Sequence, residues 1–335
     1  MSRDAPVATP RRRYCTQREL DEMCRNAVEI IHEAIDSGDA VRAHDVVLKV
    51  QTARNALADL FPNWSAATLA FVYDTYGEAA MAEAMKIDRW LALGLSSRLS
   101  LDEAQLAGAI FVDADIAASE VARLVSLART SEAKQYWDRV EAASSTLHDY
   151  RIDWSTEILS HVHRAYGNDG VAAALAHAAA QPWWSERMPG DLVKDPVTRV
   201  TEWSFFLGIG NFGTVSVAEE DDCFIIHHQV CGSCAKQELR GRHEAPWSFA
   251  RIAEPIPTLN FGIANYTVYR AHLAAWHYVM PTDKGMAPWP AIECSGVPGR
   301  CWFTIYKDPL ATPENYFGKI GRTKQEVLNG ERNES

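Results

Sequence analysis

A pattern that recurs at a fixed spacing of 90 residues constrains the fold of this chain more than any other feature. Two segments correspond without a gap at one set of helical positions: Trp64, Ser65, Leu69, Tyr76 and Gly77 match Trp154, Ser155, Leu159, Tyr166 and Gly167. Similarity at one fixed period indicates a duplicated structural unit. We therefore predict two copies of a three-helix unit, at about residues 16–95 and 101–185.

Apolar residues in the first copy have helical spacing. They recur three or four positions apart, as one face of a helix requires, at Leu20, Met23, Ala27, Ile31 and Ala34. Gly38 marks a stop after this helix. Pro62 is expected to end a second helix, and Ser65 is expected to be the N-cap of a third.

The composition changes after about residue 190, where alanine-rich runs give way to glycine, proline, aromatic and β-branched residues. We predict strands near 213–219 and 223–230, followed by a third strand or a loop near 235–241. A helix over 264–278 and a terminal strand near 301–306 are expected after these. The predicted fold class is α+β, with an N-terminal all-α duplication and a smaller antiparallel α+β domain. The expected divisions are a disordered tail at 1–14, helices at 15–195, the α+β domain at 196–325 and a polar tail at 326–335.

The charge and the cysteine content exclude several classes of protein. A net charge of −11 and the absence of a basic stripe argue against a nucleic-acid partner, and Arg11–Arg13 is interpreted as part of a solvated tail. No apolar run approaches the length of about 20 residues that a membrane span needs. Seven cysteines and no secretory signal favour a cytoplasmic protein with reduced thiols. Large helical surfaces are compatible with a homodimer.

One short stretch, Cys223–Cys234, contains three of the seven cysteines and two of the eleven histidines. Its first part alternates like a strand, so that His227 and His228 point to opposite faces. The strand leads into a CxxC motif at Cys231 and Cys234, where Gly-Ser between the cysteines permits a tight turn. Two thiols and nearby imidazoles are the ligands that zinc prefers, or the components of a reactive thiol.

Further histidines and cysteines lie downstream. His272 and His277 share the predicted helix, but five residues of a straight α-helix separate them by about 140°, so they are not expected to bind one ion together. We favour His272 as the one that meets the strand. Cys294 and Cys301 flank a Pro-Gly turn that brings their sulfurs towards each other.

Three interpretations of the Cys/His cluster remain open. In the first, zinc or another transition metal binds His227, Cys231, Cys234 and His272 and activates water for hydrolysis or a lyase step. In the second, Cys231 or Cys234 is a nucleophile or redox thiol assisted by a histidine. In the third, the CxxC is a structural metal clip or two buried thiols in a turn.

Aromatic residues crowd the same region, which favours a pocket for a small, aromatic or heterocyclic substrate. We therefore expect an enzyme, a hydrolase or a lyase, with its catalytic residues among Cys231, Cys234, His228 and His272. Arg270 is one of the polar residues that would orient the substrate. The alternative is a ligand-sensing or redox-sensing protein in which the CxxC is structural.

Overall fold

A computed structural model of the chain describes residues 13–96, 101–294 and 300–329. Most of the two predicted tails, at residues 1–12 and 330–335, lies outside the described residues. Arg11 and Arg12 of the basic cluster are among these residues. No described helix has both the length and the apolar character needed to cross a bilayer.

The N-terminal part is helical. Its helices are α1 (Gln17–Met23), α2 (Ala27–Asp36), α3 (Ala40–Ala58), α4 (Leu60–Tyr76), α5 (Glu78–Ala84), α6 (Ile87–Ser96), α7 (Leu101–Val112), α8 (Asp115–Ser126), α9 (Thr130–Ala179), α10 (Pro182–Ser185), α11 (Arg187–Leu192) and α12 (Pro196–Phe205). Capping boxes at Thr16 and Asn26 begin α1 and α2, because their side chains accept the backbone N–H of a glutamate three positions on. Because α12 covers Pro196–Phe205, helical structure continues past the boundary expected at residue 195.

The 90-residue correspondence is visible in the packing. The Oγ atoms of Ser65 and Ser155 are 2.8 Å apart, and the rings of Tyr76 and Tyr166 stack with centroids 3.6 Å apart. Residues 90 positions apart are therefore in direct contact at two places, between α4 and α9. Gly77 and Gly167 both have positive φ, at 91° and 69°, so the backbone also turns at the same point in each copy.

The start of α4 differs from the prediction. The helix begins at Leu60, so Pro62 lies in its first turn and Ser65 lies inside it. Proline is tolerated there because the first N–H groups of a helix have no intrahelical partner. The predictions of Pro62 as a stop and Ser65 as an N-cap are therefore wrong, and the Ser65 hydroxyl contacts Ser155 instead.

The C-terminal part contains a small sheet and short helices. The elements are a π-helical turn (Phe206–Gly210), β1 (Thr214–Glu219), β2 (Cys223–Val230), α13 (Cys234–Leu239), β3 (Arg251–Ile252), α14 (Pro257–Asn260), β4 (Tyr266–Thr267), a 3₁₀ turn (Val268–Arg270), α15 (Ala271–Ala274), a second π-helical turn (Ala275–Val279), α16 (Met280–Asp283), β5 (Ala291–Cys294), β6 (Cys301–Tyr306), a 3₁₀ turn (Pro309–Ala311), α17 (Glu314–Gly318) and α18 (Lys324–Leu328).

The four-stranded sheet has the order β1-β2-β6-β5, and each pair of neighbouring strands in it is antiparallel. The predicted fold class, an all-α region followed by a smaller antiparallel α+β part, is confirmed. Residues 235–239, expected in a strand or loop, lie in α13, and the helix expected over 264–278 is divided into short pieces. Residues 326–328 of the expected polar tail belong to α18.

The helical part and the sheet share a hydrophobic core. This core contains Trp64 of α4, Leu159 and Leu175 of α9, and Phe224 of β2. Trp276 joins the two parts, since its indole N–H donates to the carbonyl oxygen of Leu175 at 3.0 Å. The second π-helical turn is therefore held against α9, while the sheet packs beside α1 and α12, and the chemically interesting residues lie at this junction.

Candidate functional site

A cavity of about 60 Å³ lies at the junction between β2, β6, α4 and the two π-helical turns. Its wall contains four of the five residues predicted for the site, namely His228, Cys231, Cys234 and His272. Much of the remaining wall is aromatic, with Trp64, Trp184, Trp203, Phe206, Trp276 and Phe303. A volume of this size holds a few water molecules or a small planar group. The structure thus brings the CxxC motif and two histidines to one enclosed, largely apolar space.

His227 is the predicted ligand that does not reach the cavity. Consecutive strand residues point to opposite faces, and His228 takes the inner one. The His227 ring lies on the other face of β2, edge-on to Trp302 with centroids 6.4 Å apart. His228 is 2 % exposed, and its Nε2 atom has no hydrogen-bond partner among the described residues.

The turn between β2 and α13 positions Cys231. Its Sγ atom is 3.1 Å from the Ser233 hydroxyl, and the backbone N–H of Ser233 donates to it at 3.4 Å. A hydrogen bond from the Cys234 thiol holds the pKa of Cys231 well below its ordinary value, although burial opposes this. The same interaction and burial raise the pKa of Cys234. Cys231 is therefore the member of the pair that is disposed to be a thiolate.

Gly232 is required by the same turn. A Cβ atom at this position would lie 1.4 Å from the carbonyl oxygen of Asn211. The CxxC turn therefore lies directly against the backbone that follows the first π-helical turn, and only glycine permits this approach.

The second π-helical turn brings His277 to the cavity together with His272. A π-helical turn closes i→i+5, so residues five apart approach the same face. The two imidazole centroids are 6.3 Å apart, and both rings line the cavity. The segment is therefore not the straight α-helix on which the 140° separation was based, and both imidazoles line the cavity; the expectation that they do not bind one ion together stays a prediction. Sequence spacing gave no signal for His277, because it does not distinguish a π-helical turn from an α-helix.

The orientation of both imidazoles is fixed by backbone carbonyls. His272 Nδ1 is 2.6 Å from the Tyr269 oxygen, and His277 Nδ1 is 2.7 Å from the Trp289 oxygen. Since a carbonyl oxygen only accepts, each Nδ1 carries the hydrogen and each neutral Nε2 is an acceptor. Burial lowers the pKa of His272 to about 4 and that of His277 to about 3, so both are neutral at pH 7.

Arg270 places a buried positive charge in the cavity wall. The residue is 9 % exposed, and its guanidinium lies over the Tyr266 ring at 4.6 Å. Its Nη2 atom is 3.9 Å from Cys301 Sγ, and its Nε atom has no hydrogen-bond partner within the described ranges. The groups that face this charge are thiols and a phenol.

The arrangement does not by itself form a metal centre. Across residues 13–96, 101–294 and 300–329, no three His, Cys, Asp or Glu side chains converge in a way that could hold a metal ion. The zinc ligands inferred from the sequence thus remain a prediction.

Comparison with known proteins gives no family to which the chain can be assigned. No protein-family model, no curated protein and no solved structure matches it. The chemistry must therefore be argued from the cavity itself.

Proposed function

We propose that this protein is a thiol-dependent enzyme that acts on a small, aromatic or heterocyclic molecule, with Cys231 as the nucleophile. The observation that carries the proposal is the position of Cys231 Sγ. It lies in the wall of an enclosed aromatic cavity, with the Ser233 hydroxyl and N–H directed at it. The thiolate is the nucleophilic form of cysteine, and these donors together with the Cys234 thiol favour it.

The surrounding residues support addition of Cys231 to an electrophilic carbon. Tryptophan and phenylalanine side chains offer flat faces to a planar substrate. His228 and His272 line the same cavity as Cys231, and burial keeps both imidazoles in the neutral form by lowering their pKa. In a hydrolytic cycle, Cys231 Sγ bonds to the carbon while the bond to the leaving group breaks. A water molecule held by an imidazole then gives its proton to the leaving group and its hydroxide to the same carbon, so that the C–S bond breaks and the Cys231 thiolate is restored.

Matched buried cysteines test the nucleophile. Cys231 and Cys223 are 7 % and 6 % exposed, but burial beside Asp222 raises the pKa of Cys223 to about 12. Native protein treated with limiting iodoacetamide at pH 7 should therefore be alkylated much faster at Cys231. Equal rates at the two thiols would refute the assignment.

Substrate turnover provides the second part of this test. A panel of small cyclic amides, esters and imines can be assayed by mass spectrometry for hydrolysis products. Turnover should be lost in Cys231→Ser and retained in Cys223→Ser, with both variants folded by circular dichroism. Full activity in Cys231→Ser would eliminate the thiol mechanism.

A metal-dependent hydrolase or lyase is the second candidate. It is favoured by the carbonyl-bound Nδ1 atoms of His272 and His277, since such bonds orient imidazoles that bind zinc through Nε2. Cys231 and Cys234 are the remaining ligands of this candidate, and they would have to move towards the two imidazoles, because no three of these side chains converge on one point in the described part of the chain. Elemental analysis of untagged protein should then give about one zinc per chain, and Cys231→Ser and Cys234→Ser should each lose it. Metal-free protein with a reactive Cys231 would exclude this candidate.

The expected setting of this activity is also a proposal. A small-molecule substrate fits an enclosed cavity better than a macromolecule does, and neither nucleic acid nor membrane is expected as a partner. The seven cysteines, all within the described ranges, form no disulfide, which is compatible with a cytoplasmic location. A homodimer stays a prediction that sedimentation analysis can test. If neither turnover nor metal is found, a ligand-sensing or redox-sensing protein becomes the better account.

A further inference from the structure

A second pair of cysteines lies beside Arg270. Cys294 of β5 and Cys301 of β6 are register partners on antiparallel strands, and their Sγ atoms are 3.4 Å apart. Directly opposed residues of such strands have Cα atoms about 4.5 or 5.5 Å apart. Both distances fall inside the range of about 4.4–6.8 Å that a disulfide spans. Side-chain rotation is therefore sufficient to join these thiols, and the strands need not separate.

The two thiols differ in exposure and in surroundings. Cys294 is partly exposed, whereas Cys301 is 4 % exposed. The Cys301 thiol donates to Cys294, and the Tyr266 hydroxyl donates to the same sulfur at 3.7 Å. With Arg270 nearby, these bonds lower the pKa of Cys294 to about 6. A partly exposed thiolate whose sulfur lies 3.4 Å from a buried partner thiol is the arrangement that redox-active cysteines use.

We propose that Cys294 and Cys301 form a reversible disulfide, a second reactive site whose oxidant is a low-molecular-weight disulfide. The Cys294 thiolate attacks one sulfur of the oxidant, so that a mixed disulfide forms and one small thiolate leaves. Cys301 then loses its proton and attacks Cys294 Sγ, which expels the second small thiol with that proton. Two electrons pass from the protein dithiol to the oxidant, and excess small thiol reverses the exchange.

This site is connected to the cavity. Cys301 and Arg270 both line it, and Arg270 Nη2 contacts Cys301 Sγ. Formation of the disulfide draws the Cys301 sulfur towards Cys294. It also removes the negative charge of the Cys294 thiolate near the Arg270 guanidinium. The oxidation state of Cys294 and Cys301 therefore changes the cavity wall that a ligand contacts. The disulfide itself does not depend on the function proposed for Cys231.

The sequence offers a direct assay. Arg300 lies between the two cysteines, so trypsin separates peptide 285–300 from peptide 301–307. The full-length protein is incubated with oxidised glutathione at pH 7, blocked with N-ethylmaleimide and digested without reduction. We expect these two peptides to remain linked, and to separate when dithiothreitol is added before digestion. Two free, alkylated peptides after oxidation would overturn the proposal.

Three variants separate the steps. Cys301→Ser should trap glutathione on Cys294, because the second attack is no longer available, whereas Cys294→Ser should form no adduct on Cys301 and no 294–301 disulfide. If the Cys301→Ser protein carried glutathione on Cys231 instead of Cys294, the order of attack would be refuted. Cys231→Ser removes the proposed nucleophile of the cavity and should leave the 294–301 disulfide unchanged. Loss of that disulfide in Cys231→Ser would show that it forms only by exchange with the CxxC.

Discussion

Gly232→Ala is the substitution that best tests the geometry of the CxxC turn. The added Cβ would lie 1.4 Å from the carbonyl oxygen of Asn211, and real Cβ contacts do not fall below 3.0 Å, so one backbone must move by the difference, about 1.6 Å. The obstacle is a carbonyl group, which cannot rotate away as a flexible side chain can. Overpacking of a rigid interior costs about 1–3 kcal/mol, and we expect the upper end of that range.

Gly108→Ala is the matched control for this change. Gly108 lies inside α7, and a Cβ there meets nothing within 4 Å. Alanine in a helix interior is favoured over glycine by about 0.5–1 kcal/mol, so the control should be neutral or stabilising. Urea unfolding followed by tryptophan fluorescence gives both free energies. A Gly232→Ala protein within about 0.5 kcal/mol of the wild type would refute the close approach, since unaffected surface sites vary by that much.

The other predictions concern the hydrophobic core, the hydrogen bond between Ser65 and Ser155, and the stability of the protein in acid. Trp64→Ala should lower the free energy of unfolding by about 3–5 kcal/mol, because its indole is 1 % exposed and fills the junction; a cost near zero would contradict the shared core. Ser65→Ala should cost about 0.5–1.5 kcal/mol by removing one hydrogen bond, since the Ser155 hydroxyl keeps the Arg151 carbonyl oxygen as a partner at 3.1 Å, and the double Ser65→Ala/Ser155→Ala variant should cost less than the sum of the two single changes; strictly additive free energies of unfolding would refute the contact. Burial raises the pKa of Glu219, but hydrogen bonds from Lys307 and two backbone amides more than offset this and lower it overall. The stabilisation from Glu219 is therefore present above its unfolded pKa of about 4.3 and is lost as the pH falls through the lower folded value. Glu219→Gln should reduce the loss of stability between pH 7 and pH 3, and an unchanged difference would refute the ion pair.

The all-α fold of the N-terminal part could be predicted because its helical pattern is repeated along the sequence, and the duplication itself stays a prediction. A Trp-Ser pair and a Tyr-Gly pair at one spacing fix the correspondence, and each copy must bury its apolar face against something. The start of α4 could not be predicted in the same way. Proline is compatible both with the end of one helix and with the first turn of the next, and only packing decides between them.

Part of the candidate site was also accessible from the sequence. The cysteines of the CxxC are neighbours in the chain, so their proximity follows from one turn. Strand alternation separated His227 from His228, but it could not show which face is inward, because both faces of β2 carry apolar residues. Arg270 was recognisable as a polar residue near the site, whereas its contact with Cys301 depends on strand pairing.

The two π-helical turns have a consequence for how this cavity can be altered. A π-helical turn contains one residue more than the α-helical turn it replaces. Deletion of Tyr278 would restore α-helical winding through this stretch and leave the segments on either side nearly in phase, because the extra residue is confined to one turn. His272 and His277 would then lie five residues apart on a regular α-helix, about 140° from each other, so only one of them would face the cavity. The shape of the cavity thus depends on the number of residues in each of the two π-helical turns. Deletion of one residue from either turn would change this shape more than many substitutions of the residues in the cavity wall.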